Sequence, residues 1–326
     1  MKSKAAHPNS RGEREAQDLA ALLKRVRQVE LKTKRSVNAH AMGAYHSRFK
    51  GRGMAFEESR RYVAGDDPRH VDWNVTARTG ELFVKQFVEE RELTLLLAVD
   101  VSGSLSFGSR AKLKRDLAAE AAALLAFSAL KNSDKVGLLL FSEHQERLVP
   151  PRKGRAHVLR ILREILACQP RGKRTSLGEA ITTVTHLSKQ RAIVALISDM
   201  LDPSADGLLS PFSTKENDAP LSQIERSLKV LSRRHELMVV EVLDPAELEL
   251  PDVGLLSVQD PETGRQKLVD TRVKKTRDLY ADRMKSERDA LRSRLSRLGV
   301  EHVHLSTADD ASQALVRFLR ARTRTP

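Results

Sequence analysis

The chain predicts a doubly wound, mostly parallel α/β sheet, and three observations support this. From Leu93 onward, short apolar runs alternate with amphipathic helical stretches, the pattern of βα units with helices on both sheet faces. The run Leu95-Leu96-Leu97-Ala98-Val99 is continuously apolar, as a strand buried on both faces must be. It leads straight into Asp100-Val101-Ser102-Gly103-Ser104, an oxygen-rich turn at the strand's carboxyl end, where open α/β sheets place their ligands.

In chain order, residues 1–12 are polar and predict a disordered tail. Residues 13–40 predict a helix, because Leu19, Leu22, Leu23, Val26 and Val29 recur near a 3.6-residue period. A charge-dense piece follows from Glu57 to Arg78, and residues 82–88 read as a strand. Residues 13–91 are therefore expected to form an N-terminal helical and extended segment packing on a main domain at 92–322. The strands of that domain are expected at 93–99, 136–141, 192–197, 237–243 and 300–305. Helices are expected at 110–131, 155–168, 177–189, 221–234, 275–298 and 308–321. Two short strands around Asp260-Pro261-Glu262-Thr263-Gly264 predict a hairpin inserted near 250–270, and residues 203–220 read as a loop.

Composition narrows the function classes. One cysteine, Cys168, excludes a disulfide framework and fits a reducing compartment. No apolar run is long enough to span a bilayer, and Met1-Lys2-Ser3-Lys4 lacks the apolar stretch of a secretory signal, so a cytoplasmic protein without a membrane span is expected. The net charge of +14 lies at the two ends: residues 1–56 carry +9, residues 271–326 carry +7, and the stretch between is slightly acidic. Basic ends suit nucleic acid or an acidic partner, and equally suit solvated helix faces.

Asp100, Ser102 and Ser104 bear hard oxygens two residues apart, and Thr175 and Asp199 bear two more on later turns. Carboxylates with neutral hydroxyls suit Mg²⁺, with Mn²⁺ or Ca²⁺ as substitutes, and leave the cation under-neutralised. For Asp100 alone, capping a helix or binding loop amides is the simpler role. All five in order point to a metal site whose open position an acidic side chain of a partner would fill.

These motifs resemble the metal-ion-dependent adhesion site of von Willebrand factor A domains, with Asp100, Ser102, Ser104, Thr175 and Asp199 at the matching positions. The stretch Arg60-Arg61-Tyr62-Val63-Ala64-Gly65-Asp66-Asp67-Pro68-Arg69-His70-Val71-Asp72-Trp73, followed by Ala77-Arg78, is similar to the signature of the bacterial family called domain of unknown function 58. The resemblance covers roughly residues 40–310 and implies a sheet of the von Willebrand factor A type. It also implies an adaptor or co-chaperone role beside a MoxR-type AAA+ ATPase, and no settled activity. Within the signature, Arg60, Tyr62, Asp66, Asp67, Arg69, Asp72, Trp73 and Arg78 have two roles open. They form a hydrogen-bonded network with Trp73 as a buried anchor, or a surface for a partner. Asp66 and Asp67 are also candidates for a second cation site.

Enzyme readings fare worse. A haloacid dehalogenase-type phosphatase needs a carboxylic acid where Ser102 stands, no phosphate-cradling glycine loop is present, and no Gly-x-Ser-x-Gly elbow occurs. His302 and His304 share a strand face and could grip a metal, with core or edge packing the simpler role. The expected function is a non-enzymatic, metal-dependent protein-binding module. Nucleic-acid binding through residues 1–40 and Arg292, Arg294 and Arg297 is the alternative, and a metal-dependent hydrolase the third reading.

Overall fold

The computed structural model describes residues 24, 27–31, 33, 55–88, 93–109, 112–172, 174–201, 223–259 and 266–321. The expected tail at 1–12, the loop at 203–220 and the turn Asp260–Gly264 lie outside these residues. So does most of the expected helix at 13–40, of which residues 24, 27–31 and 33 are helical.

Two compact units divide the chain, one of them Phe49–Leu93. In it, β1 (Ala55–Arg61) pairs antiparallel with β2 (Phe83–Val88), Arg61 opposite Phe83. Between them lie a single 3₁₀ turn, Pro68–His70, and the short helix α1 (Trp73–Thr79). Asp72 is the N-cap of α1, accepting from the amides of Asn74 and Val75 at 3.1 and 3.3 Å, and Gly80 ends the helix at φ 73°. Charged Glu57-Glu58-Ser59-Arg60-Arg61 hides β1 from a hydropathy reading, since its alternation is not apolar.

The larger unit holds six sheet strands: β3 (Thr94–Asp100), β4 (Lys135–Phe141), β5 (Gln145–Arg152), β6 (Ile193–Ser198), β7 (Glu236–Leu243) and β10 (Glu301–Ser306). Their spatial order is β10-β7-β6-β3-β4-β5, and every pair is parallel except β4 with β5. From β3 the chain builds outward through β4 and β5, then returns beside β3 and builds the other way. β3 and β6 therefore flank the topological switch point. This is the expected doubly wound, mostly parallel sheet. β5 was not foreseen. Pro150 and Pro151 cannot donate to a ladder on both sides, which confines this strand to the sheet edge where it sits.

Helices cover both faces. On one, α2 (Lys114–Lys131) packs against β3, β4, β6 and β7, flanked by α3 (Arg155–Ala167) and α8 (Ala311–Ala321). Ala118, Ala119, Ala121, Ala122, Ala123, Ala126 and Ala129 of α2 are buried, so the helix sits close to the sheet with no void to fill. On the other face, α4 (Leu177–Leu187), α5 (Gln223–Arg234) and α7 (Lys274–Arg297) enclose a core of Leu96, Ala98, Leu196, Val239, Leu228 and Leu291. A one-turn helix, α6 (Pro245–Leu248), follows β7, and β8 (Leu255–Gln259) pairs antiparallel with β9 (Gln266–Asp270) as the expected inserted hairpin. Glu30 is buried and takes two hydrogen bonds from Arg155 at the start of α3, so the helical residues near it belong to this unit.

Candidate functional site

Asp100 ends β3, and the next turn is a 3₁₀ helix over Gly103–Ser106 that folds Ser104 back towards it. The Ser102 amide donates to Asp100 Oδ1 at 2.8 Å, and the Ser102 and Ser104 hydroxyls lie 3.1 Å apart. From the adjacent strand, Ser198 Oγ donates to Asp100 Oδ2 at 2.7 Å. The next residue, Asp199, accepts from the Leu201 amide at 3.1 Å, with the Ser104 hydroxyl close enough to help hold its charge. Met200 between them is fully buried with φ 60°, a left-handed conformation that costs a residue with a Cβ about 1–2 kcal/mol. Such strain persists only where surrounding structure enforces it, and here it turns Asp199 inward.

Thr175 reaches the same edge of the sheet by another route. Glu146, in β5, accepts from Ser142 Oγ and from the amides of Arg171 and Gly172. A Cβ on Gly172 would stand 2.9 Å from Glu143 Cβ, so only glycine lets this loop lie so tightly on the β4–β5 turn. The Ser176 amide then donates to the Ser142 carbonyl at 2.9 Å, which leaves Thr175 buried at the start of α4, beside the end of β4.

The structure thus links Asp100, Ser102, Ser104 and Asp199 through short contacts and seats Thr175 in the neighbouring loop. It adds a group the sequence reading missed. Lys114, the first residue of α2, has no exposed surface, and its Nζ donates to Asp199 Oδ2 at 2.8 Å and to Glu247 Oε1 at 2.6 Å. A signal was present: Lys114 lies on the same helical stripe as Leu117, Ala118 and Ala121, all buried. Glu247 is held in turn by the amide of Asp244, which it accepts at 3.0 Å in a reciprocal cap of α6. Asp244 follows β7 as the N-cap of α6 and accepts from Thr307 Oγ1 at 2.6 Å, from the Ser109 amide at 2.9 Å, and from the Ser109 hydroxyl. These bonds tie the turn after Ser104 to the ends of β7 and β10.

The electrostatics follow from this burial. Burial, and then the charge of Asp199, push the Asp100 carboxyl up to about 7. Burial acts the same way on Asp199, but the Lys114 ammonium overcomes it and holds that carboxyl below its ordinary value. Burial also raises Glu247, with Lys114 offsetting only part of the rise. One ammonium is thus shared by the Asp199 and Glu247 carboxyl groups, beside the buried Asp100. Arg288 of α7 donates to the Asp199 carbonyl at 3.2 Å, but its charge is matched by buried Glu241, which also pairs with His302 Nε2 at 3.0 Å.

These residues fit a hard divalent cation in donor type and in their surplus of negative charge. Among the described residues, no three His, Cys, Asp or Glu side chains form a cage of their own, so a cation here depends on the serine and threonine hydroxyls. One expectation needs correcting. Asp100, Ser102, Ser104, Thr175 and Asp199 are each at most 4% exposed, and Asp199 is engaged by Lys114, so no face is open to an outside carboxylate in this arrangement.

The signature residues are corrected as well. Trp73 is 69% exposed, so it is no buried anchor. Arg60 makes a two-pronged pair with Asp66 at 2.7 Å on each arm, and that pair, with the Val63 amide, holds the Asp66 carboxyl down at about 2. Asp67 caps the amide of Arg69, and Asp72 accepts from Ser59 Oγ at 2.7 Å. With Asp66 and Asp67 so engaged, a second cation site is not formed there. Arg69 and Arg78 are exposed and Tyr62 half-buried. His302 serves Glu241 while His304 is exposed.

Residues 58–290 match the family described as Protein of unknown function DUF58. An uncharacterized protein of Mycobacterium tuberculosis is 34% identical over 98% of this chain and 95% of its own length. The uncharacterized protein YeaD of Bacillus subtilis is 29% identical over 51% of this chain and 41% of its own. Among solved structures, the conserved hypothetical protein BatB from Bacteroides thetaiotaomicron matches with a TM-score of 0.43 and 14% identity, over 72% of this chain and all of that one. A von Willebrand factor type A protein from Catenulispora acidiphila matches with a TM-score of 0.37 and 11% identity, over 74% of this chain and 43% of that one. At such scores the two structural likenesses carry no argument about the site.

Proposed function

We propose, from the premise that this chain belongs to the DUF58 family of proteins of unknown function, that its von Willebrand factor A-like domain is a protein-binding module rather than an enzyme. Its recognition point is the carboxyl edge of the sheet, where β3 and β6 meet. There Asp100, Ser102 and Ser104 would hold a divalent cation, Mg²⁺ in the cell, with Thr175 and Asp199 completing the protein's share. The cation would supply a fixed positive charge with an exchangeable position, and an Asp or Glu of a partner would fill that position once the site opens. The resemblance to families encoded beside MoxR-type AAA+ ATPases makes such an ATPase, met in the cytoplasm, the partner to test first. No helix among the described residues is long and apolar enough to cross a membrane.

The observation that carries this reading is the meeting of two buried strand-end carboxylates and two hydroxyls around more negative charge than the fold neutralises. The test uses the purified chain and a purified MoxR-type ATPase from the same host. Binding at millimolar Mg²⁺ is expected to disappear in EDTA and in Asp100→Ala. Binding that ignores both chelation and the substitution rules the metal-bridged mechanism out.

A further inference from the structure

Lys114 is a fully buried charged group that the proposed function does not use. A lysine side chain without any exposed surface is rare, because taking an ammonium out of water costs several kcal/mol unless its partners are close and well oriented. Here both partners are carboxylates, and they come from different strand ends: Asp199 follows β6, and Glu247 lies in the turn of helix after β7. Nζ sits at 2.8 Å from the first and 2.6 Å from the second. Asp199 is the proposed cation ligand, and Glu247 is not. The ammonium thus stands on one ligand of the site while keeping a second anchor outside it.

We propose that Lys114 is a tethered cation that competes with the divalent ion for Asp199 and, by holding that carboxylate, keeps the site closed. This rests on the reading of Asp100, Ser102, Ser104, Thr175 and Asp199 as a cation site. Two positive charges within bonding distance of one buried carboxylate repel each other strongly at the low effective dielectric of the interior. Entry of the ion therefore requires the lysine to release Asp199. Glu247 makes that release affordable, since the ammonium retains a carboxylate partner without returning to water. The reciprocal cap between Glu247 and the Asp244 amide holds this second anchor in place, so the lysine exchanges one bond rather than losing both. The closed arrangement is the lysine-bound state, and the open one is the ion-bound state. A partner that ligates the ion favours the second by mass action.

The experiment measures Mn²⁺ binding to the full chain by electron paramagnetic resonance of the free ion, with circular dichroism to confirm folding. Lys114→Met is expected to bind Mn²⁺ at least tenfold more tightly than the unmodified chain. Glu247→Gln, which removes the alternate anchor, is expected to bind several-fold more weakly. Arg115→Met, the loss of one exposed positive charge on the same helix, should leave affinity unchanged. If Lys114→Met does not fold, the double variant Lys114→Met/Glu247→Gln removes the ion pair as a unit and is expected to show the same gain. Equal affinity with and without the lysine, abolished in both by Asp100→Asn, overturns the competition and leaves the cation site standing. Absence of Mn²⁺ binding in every variant overturns both.

Discussion

The carboxyl groups at the sheet's edge differ in what surrounds them, and that difference decides their chemistry. Asp244 is buried but wrapped by neutral donors, Ser109, Thr307 and the Ala246 amide, which together outweigh burial and hold its carboxyl low. Asp100 has similar hydrogen bonds, but deeper burial and then the Asp199 charge push its carboxyl up to about 7. Glu241 shows the third case: burial opposes its charge, yet the His302 bond and the Arg288 charge keep its carboxyl below the ordinary value. A carboxyl lowered by folding stabilises the fold above its unfolded pKa and loses that contribution as pH falls through the folded one. Glu241→Gln is therefore expected to lose about 3 kcal/mol at neutral pH, because it leaves the half-buried Arg288 without its counter-charge. Urea melts of the two proteins should differ most at pH 7 and converge on acidification below about pH 4. The candidates Asp100, Ser102, Ser104 and Asp199 are legible in the chain because oxygen-bearing side chains follow apolar strands, and Thr175 because it directly precedes a helical pattern. Lys114 could not be read with them, because a helix-start lysine is an ordinary solvated residue unless its stripe is recognised as buried.

Periodicity revealed the elements that bury apolar side chains on a regular face and concealed the others. β3, β6 and β7 are mostly apolar runs, β7 interrupted by Glu241, and stand within a residue or two of the expected positions. β1 is charged and β5 carries two prolines, so neither presents a hydrophobic pattern, although both are strands at sheet edges. The helix α2 is legible in its Ala- and Leu-rich stretch, yet its start falls at Lys114 rather than residue 110. Its alanines determine how near it approaches the sheet and therefore how far Lys114 reaches. Ala122→Leu, which forces a larger side chain into a fully buried position, is expected to cost about 1–3 kcal/mol. Thermal unfolding followed by circular dichroism measures it. In the smaller unit, Asp72→Ala removes the N-cap of α1 and the acceptor of Ser59, at a cost of about 1 kcal/mol. Hydrogen exchange of the α1 amides should accelerate, while amides of β3 and β6 stay protected.

At the scale of the molecule, the sheet order brings the candidate site residues to one edge. Because the chain reverses its winding between β5 and β6, the carboxyl ends of β3 and β6, with Asp100 and Asp199, lie side by side. The strand order was not legible in the sequence, since alternation reveals strands and helices but not their neighbours. The net positive charge of the chain lies largely in its terminal stretches of sequence, residues 1–56 and 271–326. A bound ion stabilises the folded state by an amount set by its concentration over Kd, about 2.7 kcal/mol at a hundredfold excess. Saturating Mg²⁺ is thus expected to raise the melting temperature of the unmodified chain, and to leave that of Asp100→Ala unchanged.

The most direct measurement is anomalous diffraction from crystals of the full chain soaked in Mn²⁺. The account predicts an anomalous peak within coordination distance of Asp100 and the Ser102 and Ser104 hydroxyls, with Lys114 withdrawn from Asp199 and still bonded to Glu247. A map without a peak there, and with the ammonium still on Asp199 at saturating Mn²⁺, would contradict it.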